Sequence, residues 1–268
     1  MPPNIAVETT LKRKPFSVRK AASRWKREGC RLMPKAFSAQ PEAPWSAGLR
    51  GARANLVPGL ILQVFALTLL LAYYNHPPTR EWCGRLAAFR TEKGFLFSLV
   101  STAVFGGILP CLYMKLCPAT RSRYDLKQNL VLVLFWAYKG IEIDLWYSLL
   151  ARLVGSGNDV RTISIKTFFD QFVISPFYFV PATVIVYGWL ESHFDTAMIF
   201  ADLKKPGWYR RKSLSMLISN LGVWLPTVCI IYSLPSALQI PLFSIVLCFY
   251  TLLVAHMTGA KKSPTVPA

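Results

Sequence analysis

The sequence predicts an all-α fold: a multi-pass bundle of about four to six transmembrane helices, with a short interfacial helix and a basic N-terminal arm. Three features carry that expectation. Of 268 residues, 53% are hydrophobic and only 16% charged, whereas a soluble domain carries about 25% charged residues. The apolar residues fall in blocks about 20 residues long, enough to cross roughly 30 Å of hydrocarbon at 1.5 Å per residue. The net charge of +18 lies mostly outside those blocks.

The first block, residues 54–74, has no charge after Arg53, and the second, 94–117, carries only Lys115. A third block, 129–153, holds Lys139, Glu142 and Asp144 near its middle, and a fourth, 167–190, contains Pro176 and Pro181. Residues 213–257 are uncharged until His256 and too long for one span. Pro235 breaks a helix there, leaving two readings. Either two spans meet at a tight turn over 232–236, or a re-entrant segment at 225–235 precedes one span. Between the first two spans, residues 80–90 set Trp82, Leu86 and Phe89 on one helical face among basic residues, the pattern of a helix lying in the interface. The domain organisation is then an arm over 1–53 expected to be disordered, a helical membrane domain over 54–258 and a polar tail over 259–268.

Charge orients the bundle. Residues 1–53 hold twelve Lys/Arg against three Glu. With six spans, the connections on one side carry 23 Lys/Arg and those on the other carry 7. By the positive-inside rule both termini face the cytoplasm or its equivalent. The arm reads as a segment that touches anionic lipid of the bilayer, at about 1 kcal/mol per basic residue. An organelle presequence is a second reading, because Leu11, Val18, Ala22 and Trp25 share a face and no acid lies between Leu11 and Arg27. No nucleic-acid-binding module follows the arm, so no nucleic-acid partner is expected.

The charged stretch 137–150 is the most informative. A charge at a helix centre costs roughly 2.5–3.5 kcal/mol on insertion scales. Lys139 and Glu142 are three apart and can pair along their own helix. Asp144 lies about 200° around from Glu142, so it needs another helix, water or a proton, and the expectation is that it lines a polar cavity or pore, with a structural clamp between helices as the other reading. Trp146 and Tyr147 lie too near the middle for belt anchors and are expected at a helix interface or cavity wall. Lys166 and Asp170 are four apart and can pair, Gln171 offers donors and acceptors, and Pro176 frees a carbonyl that protein or water must satisfy.

These residues also resemble a known pattern. Trp146, Tyr147, Leu150, Lys166, Asp170, Gln171 and Pro176 fall in the order of the signature of the 22-kDa peroxisomal membrane protein (Mpv-type) family, a Trp-Tyr pair followed by Lys-x3-Asp-Gln-x4-Pro, and Gly140 matches its glycine. The chain departs at Ile141, where proline is usual, at Asp144, where the family has histidine, and at Gln239, which replaces an arginine. The resemblance covers about residues 140–257 and identifies the chain as a divergent member. It implies a mitochondrial inner or peroxisomal membrane, with another organelle membrane or a bacterial inner membrane as the alternative. It also implies a weakly selective channel for small solutes or ions, able to assemble as a homo-oligomer. A non-conducting scaffold or assembly factor is the other reading. The candidate pore-lining or helix-contact residues are therefore Lys139, Glu142, Asp144, Trp146, Tyr147, Lys166, Asp170, Gln171, Pro176 and Gln239.

An enzyme is not expected. His76, His193 and His256 lie near span ends without HExxH spacing, and no phosphate loop or nucleophile elbow is present. The six cysteines lack metal spacing, so neither a metal nor a cofactor is expected. The six-span reading makes a direct prediction. Cysteines introduced at Thr10 and Thr265 should react with an impermeant maleimide from the same side of the membrane, and opposite labelling would overturn the count.

Overall fold

Six long helices and three short ones make up the described residues, 44–118 and 120–260, of a computed structural model. The arm up to residue 43 and the tail from 261 lie outside them. The short helix α1, Pro44–Ala54, leads into α2, Leu56–Asn75, and the surface helix α3, Pro77–Lys93. Then come α4, Phe95–Leu116, α5, Leu126–Val154, and α6, Val160–Glu191. The short α7, Thr196–Leu203, precedes α8, Tyr209–Tyr232, and α9, Ser236–Ala260.

The helix starts follow from local chemistry. Asp125 accepts from the backbone of Gln128 at 2.7 Å while the Gln128 side chain accepts from the backbone of Asp125 at 2.8 Å, a reciprocal cap that opens α5. Asp159 caps α6 through Thr162 and Asp195 caps α7 through Met198. The Thr162 backbone donor holds the Asp159 carboxyl below its ordinary range. That cap therefore contributes stability above the unfolded carboxylate pKa and loses it as the pH falls through the folded value. Pro176 has no N–H to give an α-helical ladder, and α6 passes into a wider π register over Phe169–Phe179. In that register the Pro176 carbonyl faces Pro181, which has no N–H to give it, and it accepts instead from the Tyr209 hydroxyl at 3.0 Å.

The solvent of this surface is lipid. On α2, Leu56, Leu60, Val64, Leu67 and Leu71 are all exposed, and their spacing of three or four puts them in one stripe. Four helices, α2, α4, α6 and α8, are long and apolar enough to cross a bilayer, and the chain is an integral membrane protein of the helical-bundle class. The 29-residue α5 has the length but carries three central charges. The 25-residue α9 is the inner one, with Leu238, Ile240, Leu242, Phe243, Val246 and Leu247 buried. Helices α8 and α9 run unbroken on either side of Ser233–Pro235, and of the two it is α8 that has the length and hydropathy of a span. On α3, Trp82, Leu86 and Phe89 are exposed while Cys83 and Ala87 pack on the core, so the helix rests on the bundle with an apolar stripe left for the interface.

One boundary moves. Residues 44–53, grouped with the arm by their charge, form α1, which packs along the start of α8. The fit depends on missing side chains. A Cβ at Gly48 would lie 2.8 Å from Ile218 Cβ, and one at Gly51 would lie 2.5 Å from Ser219 Oγ. Just beyond α1, Asn55 donates to Ser219 Oγ at 3.1 Å. Small residues let helices approach closely inside a membrane. Replacing Gly48 or Gly51 with Val should cost about 1–3 kcal/mol, the usual penalty of overpacking. In a thermal-denaturation assay, deletion of residues 1–43 should leave the midpoint unchanged, and extending it through Ala54 should lower it.

Candidate functional site

Five helices close a ring. Helix α4 packs on α5, α5 on α6, α6 on α8, α8 on α9, and α9 on α4. They enclose a cavity of about 340 Å³. Along α5 its wall runs from Leu132 to Tyr147, about 22 Å at the helical rise. Its upper end carries Arg123, Tyr124 and Thr251; its floor carries Tyr147, Asp170, Gln171 and Phe243. The floor is aromatic and tight, with the Tyr147 ring 5.1 Å from that of Tyr232 and 6.3 Å from that of Phe243.

The spacing of α5 decides what faces this space. Leu132, Trp136, Lys139, Ile143 and Tyr147 recur every three or four residues and all line the cavity. Lys139 is buried, and its Nζ lies 2.8 Å from Glu142 Oε2. The contact is charge to charge and lacks the alignment of a hydrogen bond. Three rings surround the same ammonium, with centroids at 4.6 Å for Phe179, 5.3 Å for Tyr178 and 5.8 Å for Phe135. Pairing and cation–π attraction together offset the cost of bringing a cation to this depth.

Asp144 is absent from the cavity lining. It sits five residues after Lys139, about 140° around α5, and there it accepts from Arg90 of α3 and Ser98 of α4. The expected pore-wall carboxylate is thus a clamp of three helices, 1% exposed. Room for it comes from Gly140, where a Cβ would collide with Thr102 Oγ1 and the Ser98 carbonyl.

On α6 the expected Lys166–Asp170 pair is not formed. Asp170 instead accepts from Trp146 Nε1 at 2.8 Å and from Gln171 Nε2 at 3.0 Å, while Lys166 Nζ lies 5.7 Å from the centre of the Tyr232 ring. Trp146 therefore joins α5 to α6, and Tyr147, Asp170 and Gln171 meet at the cavity floor. Glu142 serves Lys139, and Pro176 gives its carbonyl to α8. Gln239 lies away from the cavity and donates to the Leu234 carbonyl at 3.0 Å, holding the α8–α9 turn.

Sequence reasoning missed Trp136, Phe179, Asn220 and Trp224, which form most of the aromatic and amide wall. Their regular offset from Lys139 was a signal for Trp136 alone; the others lie on different helices. Arg90 was read as an interfacial charge. No cluster of three or more potential metal ligands occurs among the described residues. Together the fold and this site define a helical integral membrane protein with a deep polar-floored cavity. No family model, curated protein or solved structure matches the chain.

The clamp yields a prediction. Removing one member of a buried ion pair costs about 3–5 kcal/mol because the other charge is stranded. Arg90 is 19% exposed, so Asp144→Asn should fall toward the lower end of that range. Arg90→Met combined with Asp144→Asn should recover part of the loss. Equal, additive losses in the thermal midpoint would show that the two side chains do not act together.

Proposed function

We propose that the cavity is the solute passage of a weakly selective, channel-like membrane protein for small solutes or ions. The observation that supports it most is continuity. A single space follows about 22 Å of α5 and ends on a polar floor, against the buried core that holds Tyr147, Tyr232 and Phe243. Structural packing alone does not require Lys139, Asp170, Gln171 and Asn220 to face one internal space. Rings of oriented polar groups beside apolar walls are how pores select by charge and size.

The resemblance over 140–257 to the peroxisomal membrane protein (Mpv-type) family supports the same reading. On it the chain is a divergent member, placed in the mitochondrial inner or peroxisomal membrane, its basic arm on anionic lipid and its bundle able to self-associate. One observation favours the scaffold alternative: Asp144, at the family's histidine position, is wholly engaged between helices.

Liposomes holding the purified chain decide between them. Ser175 lines the cavity, and Ser175→Cys should conduct small solutes like wild type. Reaction with a benzyl thiosulfonate should then reduce flux at least about tenfold while wild type is unaffected, as expected for a plug in a narrow pore. Absence of flux from both proteins, with the fold intact by thermal denaturation, would favour the scaffold.

A further inference from the structure

The floor of the cavity holds a carboxylate with no counter-charge. Asp170 is 4% exposed, and its two oxygens accept from Trp146 and Gln171, both neutral donors. Among the described residues no cation forms an ion pair with it. Lys166, one turn earlier, faces the Tyr232 ring, and Lys139 is paired with Glu142. A buried carboxylate without a positive partner is costly, so the site favours a bound cation or a proton.

The walls bear on which cation would suit the site. The same cavity is lined by the rings of Trp136, Phe179, Trp224 and Phe243, of which Phe179 already faces the Lys139 ammonium, and aromatic faces attract organic cations most strongly where water is excluded. The volume of about 340 Å³ lies in the range of small-molecule sites, which are mostly apolar with a few placed polar groups. At the opposite end Arg123 lies 3.5 Å from Glu191 and 5.3 Å from the Tyr124 ring, so the one cation at the mouth is compensated. A small hydrated ion would gain nothing from such walls. A lipophilic ammonium would gain from both the carboxylate and the rings.

We propose that this cavity binds a lipophilic organic cation, with its ammonium group at Asp170 and its apolar body against Phe243 and Trp224, whose rings lie 5.7 Å apart beside Tyr147. The site rests on the passage reading in using the same space, but it is measured by binding and not by flux.

The test uses the full chain in lipid nanodiscs, followed by tryptophan fluorescence. The probes are benzyltrimethylammonium, its neutral isostere neopentylbenzene and benzenesulfonate. Wild type should bind the cation at least about tenfold more tightly than the isostere, and the sulfonate should not bind. Asp170→Asn keeps the shape and the Trp146 contact; it should lose at least about tenfold in cation affinity and leave the isostere unchanged, a loss of the size expected when one charge partner is removed. Equal binding of cation and isostere by wild type would overturn the proposal, and would do so even if the variant failed to fold. Cation binding undiminished in a folded Asp170→Asn would also overturn it. Cation binding without flux in liposomes would sink the passage and leave this site standing; flux without cation binding would do the reverse.

Discussion

Helix α5 carries Lys139, Glu142 and Asp144 through the depth of the bundle, and the arrangement of its neighbours answers that constraint. Each charge needs a partner in a medium that supplies none. The Lys139 side draws in Glu142 and the rings of α6, because an ammonium gains from aromatic faces where it cannot be hydrated. The Asp144 side draws in α4 through Ser98 and the surface helix α3 through Arg90. Small residues follow from this. Helix α4 can bring Ser98 to Asp144 only if α5 has no side chain at Gly140. Two neighbours and one interfacial helix are thereby positioned by electrostatics, and the apolar core of α8 and α9 closes the ring behind them.

Features confined to one helix were legible in the sequence. The apolar lengths located the spans, proline marked the α8–α9 turn, and the spacing of three between Lys139 and Glu142 stated their pairing. What failed to show was whatever depends on a second helix. The partner of Asp144 lies 54 residues earlier, in a segment whose basic residues read equally well as lipid contacts. Lys166 and Asp170 have the spacing of a helical pair, but α6 changes register at Phe169 and Asp170 turns toward α5. Gly48 and Gly51 looked like the flexible end of a charged arm because nothing local reveals that Ile218 and Ser219 will lie against them. The cavity was least visible of all, being built from one face of each of five helices.

The closing order of the ring has a consequence for how the molecule is made. Helix α9 is the last of the described helices to leave the ribosome, yet it packs against α2, α3, α4, α5 and α8. Until it arrives, the nascent bundle has a gap lined by residues that end up buried, among them Val223, Val228 and Ile231. Ser101 of α4 likewise waits for Ser244, its partner at 3.1 Å. The earlier helices can insert one by one, but they are held by lipid until the final segment enters. A chain released before Ser236 would therefore present an open seam to the bilayer and to quality-control proteases, so that the arrival of α9 decides whether the ring is closed.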